Sequence, residues 1–323
     1  MKRFIAALGV LAALSACGDG TPFADTGTGT GDGDTDTDTS IPEEIAGDLD
    51  GFTFNPTTGE LTITGVFLDD EPATTGYTRT ASLDVPGYIA YTAQEDPLDQ
   101  HVTAYVQAIS DVTGAIAVSG GQFARYNGGV NYTRSGDFDR PDVSGTSGLT
   151  TYAGNYVGII NSGTTAGPDL LPVPGGTDPS ILPSQAARIE GLIFINVDFI
   201  DNTLKGVVYD RQIFSPDGTP LTPDFAVGAV EVPDLILIET DVTEDGTFAG
   251  QTEIVLPSGR NTVGEYGGIF GGTDSEGVAG GIRATEHFDN GSSGEEEYGL
   301  FVLGRCGSAS ETSALCSTVP VGE

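Results

Sequence analysis

The sequence predicts an all-β fold, with an N-terminal antiparallel β domain followed by an eight-stranded up-and-down antiparallel β-barrel. Three observations carry that expectation. Glycine and proline supply 48 and 18 of 323 residues, and no long Ala/Leu/Glu/Lys window follows residue 16, which favours turn-rich β structure over helices. Short runs of alternating apolar and polar residues are separated by Pro-Gly, Asn-Gly and Asp-Gly pairs, the chemistry of tight turns. The stretch from Gly264 to Ile282 reads as two strands around a Thr273-Asp274-Ser275-Glu276-Gly277 turn, with glycine at every second or third position. Such a run weakens an ordinary strand and fits sharp curvature or close backbone approach.

Composition narrows the class. Apolar residues make up 38% of the chain, with 15 Phe and 11 Tyr, enough for packed cores and against global disorder. The net charge is -35. Phosphate backbones and anionic headgroups attract proteins through Lys and Arg clusters, so nucleic acid is not expected as a partner. The acidity reads as a solubilising surface.

Taken in order, Met1 to Ala16 has a Lys2-Arg3 start and an apolar run from Phe4 to Leu14, an export signal too short to span a bilayer as a mature helix. Leu14-Ser15-Ala16-Cys17 resembles the bacterial lipobox, which implies cleavage before Cys17 and acylation of that cysteine. Gly18, not Asp, follows it, and in Gram-negative lipoproteins this implies sorting to the outer membrane. Residues 17–46 are rich in Asp, Gly and Thr, cannot bury enough surface to offset ordering, and read as a disordered tether.

Residues 47–147 form the expected first β domain. Phe52 to Phe54 and Leu61 to Val66 flank an Asn55-Pro56-Thr57-Thr58-Gly59 turn and read as a hairpin. Strands are expected over Tyr77–Val85, Tyr88–Ala93, Ala115–Gly120, Phe123–Tyr126 and Val130–Arg134, while His101–Ser110 reads as strand or helix. Residues 148–306 form the expected barrel. In Ile189–Phe199 the positions 189, 191, 193, 195, 197 and 199 are Ile, Gly, Ile, Ile, Val and Phe, one wholly apolar face as in a sheet closed around a core. Strands over Tyr152–Ile160, Thr203–Tyr209, Leu235–Val242, Thr247–Val255, the two of the glycine stretch and Glu297–Gly304 bring the count to eight, which permits closure without exposed edges. Residues 307–323 are a tail.

The order of these elements resembles the transferrin-binding protein B-like and factor H-binding-like bacterial surface lipoproteins. The pieces that carry the resemblance are Tyr152-Ala153-Gly154-Asn155-Tyr156-Val157-Gly158, Val197-Asp198-Phe199 leading through Asn202 to Leu204-Lys205-Gly206, Phe248-Ala249-Gly250, and Gly267-Gly268-Ile269-Phe270-Gly271-Gly272. The resemblance implies a single lobe, with the first β domain in the position of the family's handle. It also implies a non-enzymatic binding protein, lipid-anchored at the outer membrane and exposed on the cell surface. Its expected partners are membrane lipid through Cys17 and a soluble ligand or outer-membrane receptor: an iron carrier, haem or another solute. A monomer is expected. A structural or adhesive envelope lipoprotein is the alternative, and a hydrolase the remoter one.

Of the three cysteines, Cys17 is taken by acylation, and Cys306 and Cys316 in an exported chain suggest a disulfide tying the tail to the last strand. Catalytic and cofactor motifs are absent from the sequence, so no catalytic residue, cofactor or metal is expected. His287, beside Glu286 at a strand end, has the chemistry of a haem or metal ligand, but no second ligand is spaced to help it. It and His101 therefore read as solvated loop residues. Asp69-Asp70 and Glu295-Glu296-Glu297 read as solvated turns.

Overall fold

The computed structural model describes residues 41–66, 74–143, 148–221, 232–288 and 294–318. The export signal, Cys17, most of the tether and Asp69-Asp70 lie outside these residues. The described residues belong to one compact unit, Asp38–Glu323, and the fold is all-β, as the turn chemistry and alternation predict.

A short helix α1 (Glu43–Ala46) precedes seven strands: β1 (Leu49–Asn55), β2 (Glu60–Gly65), β3 (Thr74–Arg79), β4 (Ile89–Ala93), β5 (Val102–Ile109), β6 (Val112–Ser119) and β7 (Gly128–Arg134). They pair antiparallel in sequence order. The outer strands approach each other, with the Asp48 N–H on the Gly128 carbonyl at 2.9 Å and the Gly128 N–H on Asp48 Oδ2 at 3.0 Å, so the sheet is a nearly closed ring. The β1–β2 hairpin turns where expected, because Asn55 Oδ1 accepts the Thr57 and Thr58 N–H groups at 2.9 and 3.1 Å, the Asx geometry that stops a strand.

Three local expectations are corrected and one open reading is settled. The strand expected over Tyr77–Val85 ends at Arg79, and Ala81–Leu83 forms a 3-10 turn. Arg79 pairs with Asp84, and Asp84 Oδ1 takes the Ala90 N–H, so polar groups bend the chain back before Pro86-Gly87. Phe123–Tyr126 is a tight turn in which Phe123 and Ala124 have φ of 53° and 57°, and the Phe123 ring is 58% exposed. His101–Ser110, which could be read two ways, is strand β5. Finally, α1 lies within the stretch read as tether, and its Ile45 is fully buried.

The remaining strands are β8 (Leu149–Thr164), β9 (Gln185–Asp198), β10 (Thr203–Phe214), the two-residue β11 (Pro220–Leu221), β12 (Leu235–Asp241), β13 (Thr247–Leu256), β14 (Gly259–Gly271), β15 (Gly277–Thr285) and β16 (Glu296–Gly304). All but β11 form the closed antiparallel barrel, in up-and-down order, with β16 pairing back onto β8. Alternation along β9 points Ile189, Ile193, Ile195 and Val197 inward. Phe270 centres the interior, its ring 5.4 Å from Tyr152, 5.4 Å from Phe199 and 5.2 Å from Phe248. The barrel is packed with side chains through its core.

The sheet and the barrel share a further core, in which Ile45, Tyr105, Val112, Ile116 and Val130 meet Val157, Ile269, Ala279, Leu300 and Val302. The glycine run of β14 and β15 is the barrel's contribution to this seam. A Cβ at Gly281 would lie 2.7 Å from Ile45 Cγ2 and 2.8 Å from Val130 Cγ1, and one at Gly267 would lie 2.9 Å from the Tyr132 hydroxyl. Across the ladder, Gly267 pairs with Gly281, so two bare positions lie side by side and admit the first sheet. The close approach expected from the spacing is real, and its partner is the other sheet.

Candidate functional site

Among the described residues of the barrel is a buried charged cluster that an apolar interior does not require. Glu297 on β16 is fully buried. Its Oε1 accepts the Tyr156 hydroxyl at 2.6 Å, and its Oε2 meets Arg211 Nη2 and, at 2.7 Å, His287 Nε2. Neither the Arg211 nor the His287 side chain has exposed surface. Arg211 Nη1 also donates to the Pro233 carbonyl at 2.5 Å, and the His287 ring lies 4.2 Å from that of Phe288.

Local sequence places each member. Tyr156 comes inward by alternation in β8, and glycine leaves it room, since a Cβ at Gly299 would fall 1.8 Å from its hydroxyl. Arg211 is aimed by a bulge. The β9–β10 register passes from Tyr209 opposite Leu192 to Gln212 opposite Glu190, so Asp210 and Arg211 share one partner position. Asp210 takes φ of 51°, and the extra residue reorients the following side chain.

Electrostatics fix the protonation states. Burial pushes the Glu297 carboxyl up, but the Arg211 guanidinium and the His287 hydrogen bond outweigh it and hold the group down at about 2. Burial lowers the His287 imidazole below its ordinary value despite Glu297 beside it. A neutral ring facing a carboxylate must donate, so Nε2 carries the proton and Nδ1 is left as an acceptor without a partner. Burial first, and then Glu297, raise the Tyr156 phenol well above its usual range. The cluster thus holds one carboxylate, one guanidinium and two neutral donors, shut away from solvent. Its chemistry is structural: it ties β8, β10 and β16 to the segment that follows β15.

Two of these residues lie where the sequence did not put them, Tyr156 sits in the strand expected over Tyr152–Ile160, and Arg211 carried no expectation. His287 and Glu297 were expected in solvent; both are buried, because Arg211 offsets the charge that would otherwise keep Glu297 wet. The overlooked signal was Asp210-Arg211-Gln212, three polar residues interrupting the apolar alternation of β10. His101, also expected in solvent, is buried at the start of β5, and neither of its ring nitrogens has a partner. Cys306 and Cys316 form the expected disulfide, with a Cα separation of 5.2 Å. The Cys306 N–H bonds the Thr151 carbonyl at 2.8 Å, so the tail is pinned to β8. Among the described residues no group of three His, Cys, Asp or Glu side chains is placed to hold a metal, and no helix is long and apolar enough to cross a membrane.

These features define a class: an all-β protein in which a filled eight-stranded barrel is fused to a nearly closed seven-stranded sheet. No family model matches the chain, and no curated protein matches it. Solved structures similar to it are of transferrin-binding protein B. One, from Haemophilus parasuis Hp5, is 12% identical, with a TM-score of 0.38 over 80% of this chain and 44% of that one. One from serogroup B Neisseria meningitidis is 13% identical, with a TM-score of 0.32 over 79% and 51%. One from Actinobacillus pleuropneumoniae H49 is 14% identical, with a TM-score of 0.35 over 81% and 99%. The chain spans about half the length of the first two. The likeness is one of fold.

Proposed function

We propose that this chain is a lipid-anchored surface protein of the outer membrane that binds a soluble ligand or a membrane receptor on its exterior and performs no catalysis. The observation that carries this reading is the filled barrel. Tyr152, Tyr156, Phe199, Phe270 and Phe301 are each at most 1% exposed, so the described side chains fill the cylinder where a substrate would sit, and the side chains of Glu297, Arg211 and His287 have no exposed surface. Recognition is left to loops and outer sheet faces, where function on a rigid scaffold usually resides.

The address comes from the amino-terminal residues. Acyl chains on Cys17 would hold the body at a membrane without a spanning helix, each buried methylene contributing about 0.8 kcal/mol. The acidic tract would keep the body extended from it.

Two measurements test the reading. Metabolic labelling with palmitate should acylate the wild-type chain and leave Cys17→Ser unlabelled and soluble. Protease added to intact cells should degrade the body. Absence of label, or complete protection from protease, overturns the proposal.

A further inference from the structure

The first sheet packs on the barrel chiefly at β14, β15 and β16. The outer wall of β10 and β12, with the flanking strands β9 and β13, has a different character. Alternation there buries Ile195, Val208, Leu237 and Ile254 inside the barrel and turns Phe194, Val207, Tyr209, Ile236, Ile238 and Val255 outward. The register sets Phe194 and Ile236 on either side of Val207, and the Tyr209 ring lies 6.0 Å from that of Phe194. Five of the six are half-buried, and Val255 is 59% exposed. A sheet face turned to water is normally polar, so a contiguous apolar stripe marks a contact surface.

The wall is also shaped. The β10–β12 register passes from Leu204 opposite Thr240 to Gly206 opposite Leu237, so β12 carries one extra residue, and an added residue re-aims the side chains around it. Glu239, which strict alternation would point into the barrel beside Leu237, is exposed instead. The Ile238 carbonyl takes the Tyr266 hydroxyl, which reaches it from the barrel interior, and the bulge is thereby anchored. Beside it the wall dips into a depression of about 390 Å³ whose sides include Phe194, Val207, Ile236 and Ile238.

The charged rim selects what covers this surface. Lys205 Nζ lies 3.5 Å from Glu239 Oε2 on β10 and β12, and Arg260 pairs with Glu253 on β14 and β13. The side chains of both cations are about two-thirds exposed, at 65% and 66%. The whole chain has 47 acidic residues against 12 basic ones, so a rim with one cation for each carboxylate departs from the rest of the surface. An acidic partner would set like charge against Glu239 and Glu253, and a basic one would do so against Lys205 and Arg260. A second copy of the same rim does neither. A two-fold axis lying in the face between the two pairs sets Lys205 against Glu253 of the second copy and Arg260 against its Glu239.

We propose that two copies of this chain associate through this wall, outer sheet on outer sheet, as a two-fold dimer in place of the monomer expected from the sequence. The apolar stripe forms its centre and the two exchanged ion pairs its rim. The face offers fewer side chains than the roughly 20 to 30 per partner of a standard interface, so the dimer dissociates on the order of 10 to 100 µM. The proposal is separate from the surface reading above, and a monomeric chain would leave that reading standing.

The test is sedimentation equilibrium of the full chain carrying Cys17→Ser, so that acyl chains take no part, over about 1 to 300 µM, a range that brackets the expected dissociation constant. Salt at about 0.15 M, with a screening length of about 8 Å, damps the repulsion between two polyanions. A reversible equilibrium between monomer and dimer is expected. Phe194→Asp, which sets a charge in the apolar centre, should weaken it about tenfold or more. The paired exchange of Lys205→Glu with Glu239→Lys keeps the net charge and the pair within each chain but faces like charges across the two-fold axis, and should weaken association by a similar factor. Thermal melting checks that both variants fold. A chain that stays monomeric at every concentration, which would leave the wall to a foreign partner, overturns the proposal. A dimer unchanged in either variant overturns it as well.

Discussion

The Tyr88 hydroxyl accepts the Val302 N–H at 3.1 Å and donates to the Asn155 carbonyl at 2.8 Å. The register that sets Leu300 opposite Val157 would bring Val302 opposite Asn155, yet paired residues of β16 and β8 stop at Leu300 and resume only in the Tyr152–Arg305 bridge. A side chain from the first sheet therefore supplies a missing rung of the barrel.

Tyr88→Phe should leave a buried N–H and a buried carbonyl unpaired and cost about 2 to 6 kcal/mol, at about 1 to 3 per group. Tyr77 provides the contrast, being buried with a hydroxyl that has no partner, so Tyr77→Phe should not destabilise and should gain up to about 1 to 3 kcal/mol. Urea unfolding monitored by tyrosine fluorescence measures both; equal losses would contradict the bridging role.

The seam between sheet and barrel should not tolerate a side chain at Gly281. With Ile45 and Val130 atoms under 3 Å from the position of a new Cβ, Gly281→Val should overpack the interface and cost about 1 to 3 kcal/mol. Ile45→Ala, which empties the other side of the same contact, should cost about 2 to 5 kcal/mol. Thermal melts of the two single variants and the double variant should show non-additive losses, because the residues share one space.

Acid should destabilise the barrel through its buried cluster. Glu297 is held down at about 2 in the folded protein against about 4.3 in an unfolded chain. Its contribution is thus complete above about 4.3 and lost as pH falls toward 2, on the order of 3 kcal/mol. His287 is also lowered by burial; the unfolded state takes up its proton first, so stability already declines as pH falls through about 6.5. The groups facing this pair are Arg211, Tyr156 and Glu295. Arg211→Met, which strands the carboxylate, should cost about 3 to 5 kcal/mol at neutral pH. In Glu297→Gln the melting temperature should vary less between about pH 4.3 and 2 than in the wild type.

Reduction of the Cys306–Cys316 bond should lower stability by about 2 to 3 kcal/mol, the chain-entropy value for so short a loop. Guanidinium unfolding with and without reductant, set beside a Cys306→Ser, Cys316→Ser variant, measures it.

The barrel was legible because its strands obey local rules. Alternation in β9, Glu244-Asp245-Gly246 between β12 and β13, and paired glycines in β14 and β15 each declare a strand or a turn within a few residues. The 3-10 turn at Ala81–Leu83 was hidden, since the Arg79–Asp84 pair that bends the chain is a contact and not a pattern. The buried cluster was harder still. Whether Glu297 is wet or dry depends on Arg211, 86 residues away in sequence, and on a bulge at Asp210 that no glycine announces. His101 and His287 carried no sequence mark to separate them from surface histidines; only the folded surroundings strip them of solvent.

Closure of the ring has a consequence for descent. Since each stave already holds both neighbours, chain outside the ladder, such as Pro257-Ser258 or much of the 165–184 connection, bears little of the load. Lengthening such a crossing costs only about 0.6 kcal/mol per doubling. Across generations, crossings of this kind can lengthen and change composition at small cost while the cylinder keeps its pairing.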